Sequence, residues 1–243
     1  MLIDFSTNVE MAINYPPIPA KKLIPTWYKD VPPDVVSTEL AKDAKFRINN
    51  NLNTTKTIKG CQPVLDYMST GYIIRAHAQI LITPENLGKP FVDGQKDFWW
   101  QSTVARLEAH SYTQCPVTME GNKNRYMKYM NPWIIKVPVG YSCMFYQPHY
   151  FLEERFKFMP GIVDCDTYDT IVTFPGYIKS KETFIIEPGD PLVVVVPFKR
   201  ESWGHTITKL TDQEMQNTIK KSKLNHYMFE GYKKLFHKKK DFN

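Results

Sequence analysis

Residues 138–200 read PVGYSCMFYQPHY, PGIVDCDTYDTIVTF and FIIEPGDPLVVVVPFKR in succession, and this run limits the possible folds more than any other part of the chain. Each piece is an apolar stretch closed by tight-turn residues, the pattern of successive strands in one curled sheet. Pro188-Gly189-Asp190 supplies a turn, because proline pre-sets one dihedral and glycine accepts positive φ at little cost. The flanking runs, Phe184–Ile186 and residues 192–196, are β-branched and apolar, which predicts a buried hairpin.

Composition narrows the class. A chain of 243 residues has room for one substantial core, and 14% aromatic content is too rich for a disordered chain. Eighteen prolines against eleven glycines favour loops and short elements over long helices. No run approaches the roughly 18 consecutive apolar residues of a membrane span. The opening MLIDFSTNVEM is acidic where a secretory signal would carry lysines, so the protein is expected to be intracellular when made. Cys61, Cys115, Cys143 and Cys165 form no CxxC pair and read as reduced, mostly buried thiols rather than zinc ligands. His77, His110, His149, His205, His226 and His237 show no metal-binding spacing, so no metal site or other cofactor is expected.

Charge is uneven. Residues 206–243 hold nine lysines against Asp212, Glu214, Glu230 and Asp241, which is +5 of the chain's net +6. Lys220, Lys221, Lys223, Lys238, Lys239 and Lys240 are therefore candidates for nucleic-acid binding, while the same residues also suit the solvated face of a helix.

Along the chain, PPIPAKKLIPTWYKDVPP is too proline-dense for helix interior or central strand, so residues 1–35 are expected to be an extended arm laying Ile18, Leu23, Ile24, Trp27 and Tyr28 along the body and covering a sheet edge. A β domain over 36–205 follows, and then a basic helical segment over 206–243. Within the β domain a strand is expected near Phe46, a helical turn over 62–67 with Pro63 in its first turn, and a strand IIRAHAQILI opened by Gly71-Tyr72. In that strand Arg75, His77 and Gln79 would share one face, and Arg75 and His77 are candidate ligands for an anion. Further strands are expected at 98–100, 107–112 and from Met127 into Trp133-Ile134-Ile135, with turns at 93–96 and 120–122. Thr211-x-x-Glu214 is a capping box, which places a helix start near Asp212, and Tyr227, Phe229, Tyr232 and Phe236 would give the helical end one apolar face.

Asp164, Asp166 and Asp169 make a carboxylate cluster. On a strand, Asp164 and Asp166 would point to one face and could hold a divalent cation or activate water; the alternative is that they cap a bend by accepting local N–H groups.

Two resemblances run through these residues. The stretch NPWIIKVPVGYSCMFYQP…GIVDCDTYDTIVTFPGYI…IEPGDPLVVVVPFKRESW, with KGCQPVLDYMSTGYIIRA and IPTWYK, resembles a family of uncharacterised proteins of tailed bacteriophages, the cyanophage type. More distantly, the order Pro-x-Gly, Gly-x-x-Asp-x-Asp and Gly-Asp before an apolar strand resembles the dUTP pyrophosphatase and dCTP deaminase superfamily. That resemblance implies a mainly β fold, a β-clip or distorted jelly roll, and a homo-oligomer such as a trimer. It likens Gly161-Ile162-Val163-Asp164 to the strand bearing the catalytic aspartate, and it makes His149 and Tyr168 candidate ligand-binding residues.

The chain departs from that superfamily's pattern. Pro148-His149-Tyr150 stands where the enzymes have Pro-Arg-Ser-Gly, Thr167 is inserted between Asp166 and Tyr168, residues 192–196 offer no glutamine, and lysine-rich sequence replaces the glycine-rich C-terminal arm. Bulky side chains at 149 and 150 would fill the space a phosphate needs. The resemblances thus imply a phage-encoded, non-enzymatic binding or structural protein, made in the host cytoplasm and either carried in the virion or acting on a host partner. The alternative is a nucleotide-binding or nucleotide-hydrolysing enzyme using Asp164, Asp166 and Mg.

Overall fold

The computed structural model describes residues 2–33, 57–84, 98–109, 126–227 and 231–240. The strand expected near Phe46, the turns at 93–96 and 120–122, and His110, Cys115 and Phe229 lie outside them. Among the described residues there are fourteen strands, every pairing antiparallel, and a few short helices. The protein is mainly β, built of short strands that change sheet at bends in the manner of a β-clip or distorted jelly roll.

The chain divides into two compact units, residues 1–23 with 71–200 and residues 24–70 with 201–243. Among the described residues the first unit holds all the sheets. Its five-stranded sheet runs in the order Gly161–Val163, Tyr141–Tyr146, Pro191–Lys199, Tyr72–Arg75, Ile18–Pro19. A four-stranded sheet orders Phe156–Phe158, Thr173–Ile178, Tyr126–Met130 and Arg106–Ala109. A three-stranded sheet has Ile80–Pro84 between Phe184–Ile186 and Phe98–Gln101, and Asp4–Ser6 pairs with Ile134–Lys136.

Two expectations fail at one corner. IIRAHAQILI is two strands, Tyr72–Arg75 and Ile80–Pro84, in different sheets. The segments flanking Pro188-Gly189 are likewise not a hairpin: Phe184–Ile186 joins the three-stranded sheet and Pro191–Lys199 the five-stranded one. The turn itself forms as expected, with Gly189 at φ 95 and the Asp190 N–H donating to the Glu187 carbonyl at 3.0 Å. Its remaining groups bond across the corner instead of within a hairpin. The Gly189 N–H donates to Ala76 O and the Ala76 N–H to Asp190 O, both at 2.8 Å. Residues 72–84 and 184–199 therefore form one long antiparallel ribbon, bent where both segments pass from sheet to sheet.

The strand expected from Met127 to Ile135 also divides. The buried Asn131 amide donates to Trp133 O at 2.8 Å and its Oδ1 accepts from the Trp133 N–H at 3.2 Å, a local turn that diverts the chain into a new sheet.

The unbroken apolar run at 192–195 is explained by burial on two sides. Leu192, Val193 and Val195 enter the main core with Ile74, Phe145 and Tyr129, while Val194 joins Ile73 and Ala20 on the opposite face of the sheet. Each such burial contributes about 1.5–3 kcal/mol. Within residues 1–35, Ile18–Pro19 pairs with Tyr72–Arg75 at the sheet edge and Leu23 packs on the Ile73 side, but the segment is not extended throughout, since Glu10–Ile13 and Thr26–Asp30 form short helices.

The regular elements described in the second unit are all helices. The turn expected at 62–67 is the helix Gln62–Ser69 with Pro63 in its first turn. The helix Asp212–Tyr227 begins where the capping box predicts: Glu214 Oε2 accepts from the Thr211 N–H at 2.8 Å and the Glu214 N–H donates to Thr211 Oγ1 at 3.3 Å.

Candidate functional site

The polar network nearest to a functional site lies where three chain segments end together on the five-stranded sheet. The turn at 138–141 precedes Tyr141–Tyr146, the strand Gly161–Val163 ends just before Asp164, and Pro191–Lys199 ends just before Arg200. The expected strand geometry for Asp164 and Asp166 is not what forms, since both lie beyond the strand in a turn whose N–H groups, Thr167 and Tyr168, donate to the main-chain carbonyl of Asp164. Their side chains nevertheless converge, and they do so on a cation.

Arg200 reaches both carboxylates. Its Nη1 lies 2.9 Å from Asp166 Oδ1 and 3.3 Å from Asp164 Oδ1, and its Nη2 lies 2.5 Å from Asp166 Oδ2. The Gly140 N–H donates to Asp166 Oδ2 at 2.9 Å, and Ser142 Oγ donates to Asp164 Oδ1 at 2.6 Å. The Asp166 side chain is 1% exposed. Hydrogen bonds from Arg200 first, and then from the Gly140 N–H, hold its pKa well below the usual carboxylate value, and the same contacts raise the pKa of Arg200. On Asp166 the lone pairs that a general base or a metal ligand would offer are already engaged, whereas the Asp164 side chain is 60% exposed.

A magnesium ion does not fit this donor set. Mg²⁺ needs carboxylate oxygens facing an open octahedral shell, whereas Asp166 is buried against the guanidinium and of the two carboxylates only Asp164 is exposed, and no cluster of three metal-binding side chains occurs among the described residues. Asp169 stands apart from its neighbours and pairs with Lys136.

The structure disperses the other candidates. Arg75 donates to Pro16 O at 3.0 and 3.2 Å and lies over the Tyr15 ring. His77 is buried, its Nδ1 2.9 Å from the Tyr129 hydroxyl, and desolvation lowers its pKa, so the ring stays neutral. Gln79 is exposed and bonds Glu187. The three polar residues expected on one face thus point three ways, because the bend at 76–79 breaks the alternation. His149 is an exposed residue of a 3₁₀ turn, His149–Phe151, and meets Tyr150 edge to face. Tyr168 is exposed, its carbonyl accepting from Lys136.

Cys143 and Cys165 are buried and hydrogen-bonded to each other, which raises the pKa of Cys143. Cys61 is exposed, because it stands just ahead of the helix Gln62–Ser69 instead of inside a sheet.

Among the basic candidates, Lys220, Lys221 and Lys223 are exposed on the helix Asp212–Tyr227, and Lys238 and Lys239 are exposed beyond Gly231–Leu235. Lys240 has a structural partner: with His237 it holds Asp66, at 2.5 and 3.1 Å to Oδ2. Burial raises the Asp66 pKa, but the hydrogen bonds from Lys240, Gln62 and His237 outweigh it and leave the pKa lowered.

Sequence reasoning found the aspartates and missed Arg200 and Ser142. The available signals were a polar Ser142 in the otherwise apolar strand Tyr141–Tyr146 and an arginine closing the valine run.

No protein-family model matches the chain, and a search of curated proteins gives no match. Among solved structures, the chain is similar to a point mutant of the dUTPase from phage phi11 of S. aureus, with 10% identity and a TM-score of 0.32 over 59% of this chain and 85% of that one. A likeness of this degree assigns no residue a role.

Proposed function

We propose that the protein acts by binding and not by catalysis: a phage-encoded structural or modulating protein, carried in the virion or acting on a partner in the host cytoplasm, and assembled as a homo-oligomer such as a trimer. The observation that supports this reading is the buried Asp166, which Arg200 and the Gly140 N–H hold in an ion pair. Asp166 held this way ties chain ends together and is engaged as a structural group, while the exposed Asp164 shares Arg200 and accepts from Ser142. The turn at His149–Phe151 adds to it, since side chains stand where a phosphate loop needs bare backbone.

The competing reading is a nucleotide-hydrolysing enzyme, favoured only by the convergence of the two aspartates. Thermal-shift titration with dUTP and dCTP plus Mg²⁺ separates the two. The binding-protein reading expects no shift. Ligand at 100 Kd would stabilise a competent site by about 2.7 kcal/mol, and a shift of that size abolished by Asp164→Asn would overturn the proposal. Mass spectrometry of purified virions and sedimentation of the pure protein test the virion and trimer assignments separately.

A further inference from the structure

Almost all of the molecule's net charge sits in one short stretch. Residues 215–240 contain eight lysines and one carboxylate, Glu230, hence +7, while the whole chain carries +6; everything else sums to −1. On the helix Asp212–Tyr227, Gln213, Gln216, Lys220 and Lys223 follow one another at three- and four-residue steps and so share a face, with Asn217, four residues from Gln213 and three from Lys220, beside them. That face carries amides and cations and no carboxylate. The two acids of this helix, Asp212 and Glu214, lie in its first turn, where Glu214 is held by the cap.

Aromatic and apolar groups interleave with the cations. Trp203 is 89% exposed and Ile207 93% exposed in the segment before the helix, which has no regular secondary structure. Tyr232 and Phe236, four residues apart beside Lys233 and Lys234, are also exposed. Trp203, so exposed and nine residues ahead of the lysine-bearing helix, offers a ring face open to stacking.

We infer that residues 203–223 and 231–240 form a binding surface for single-stranded nucleic acid, with lysines and amides along the phosphate backbone and Trp203, Tyr232 and Phe236 as platforms for unstacked bases. The chemistry is that of sequence-tolerant single-strand binders, in which a positive track is combined with aromatic stacking. Exposed rings favour a single strand over a duplex, whose bases offer no free faces. A lipid surface fits less well, since the opposite face of the helix offers Met215 and Ile219 with Thr218 and Ser222 between them, too narrow an apolar stripe to enter a bilayer. The inference names a partner class for the binding function proposed above but rests on other residues, so each can fail alone.

The test is fluorescence anisotropy of the full chain with labelled oligothymidine and oligouridine of about 20 nucleotides, matched against duplex DNA and against phosphatidylserine vesicles. Single strands should bind, with log K falling against log[salt] at a slope of about −0.7 per phosphate contacted. The triple variant Lys220→Gln, Lys221→Gln, Lys223→Gln should weaken binding at least tenfold and flatten that slope by about 2, and Trp203→Ala should cost about fivefold with the slope unchanged. All four side chains are exposed, so circular dichroism of the variants should match the parent. The inference is overturned by absence of binding in low salt, by equal affinity for duplex or vesicles, or by a triple variant that binds as the parent does. Hydrolysis of dUTP by the protein would sink the non-catalytic reading and leave this one standing; loss of oligonucleotide binding would do the reverse.

Discussion

Asp166 is buried to 1% exposure only because Arg200 and the Gly140 N–H satisfy it. Arg200→Gln should therefore lower Tm by several degrees, leaving a carboxylate stranded, and Asp166→Asn in the same chain should restore part of the loss. A thermal melt of the parent and the two variants checks this, and equal melting of parent and Arg200→Gln would refute it. Stability should also depend on pH through His77. Its folded pKa is lowered by burial, so the unfolded chain takes up the proton first as pH falls. The contribution is complete above about pH 6.5 and is lost below it, at up to about 1.4 kcal/mol per pH unit. Urea melts from pH 7.5 down to 5.5 should show that slope, and His77→Gln should remove it. The aspartates respond lower down: the depressed pKa of Asp166 means its share persists until pH drops through the ordinary carboxylate range near 4. The sequence disclosed the acids because they are neighbours in the chain, but their cation comes from 34 residues away, beyond any local pattern.

Local chemistry made the elements readable and their partners obscure. The cap at Thr211 formed as its four-residue signature requires. Thr211→Ala should cost the helix Asp212–Tyr227 about 1 kcal/mol, seen as faster amide exchange in its first turns with little change in global Tm. Gly71 is a harder constraint. It sits at φ 79, and a Cβ there would lie 2.3 Å from the Val195 carbonyl oxygen. Gly71→Ala should lower stability by at least about 1–3 kcal/mol, measured by denaturant titration. The apolar runs at 184–186 and 192–196 were correctly strands, yet alternation says nothing about which neighbour a strand will choose. Pro188-Gly189 shaped its turn as read, while Ala76 took the hydrogen bonds that a hairpin would have used. Asn131 likewise ended a strand through its own side chain, a signal hidden within an aromatic, apolar context.

For the molecule as a whole, a mainly β chain was evident from prolines, alternating apolar runs and turn residues, since these act locally everywhere. Its sheet order was not, because the pairings join distant segments: Ile18 with Ile73, and Ile73 with Val194. Chains that must close such long loops fold slowly, so refolding followed by tryptophan fluorescence should take milliseconds to seconds or longer, and a microsecond phase accounting for the whole amplitude would contradict this topology. The bent ribbon of 72–84 and 184–199 belongs to both the five-stranded and the three-stranded sheet. Neither can come apart while the other survives, for the same two backbones are threaded through both. This half of the protein should accordingly lose its order in a single step, and a proteolytic nick at the corner would cost it both sheets at once.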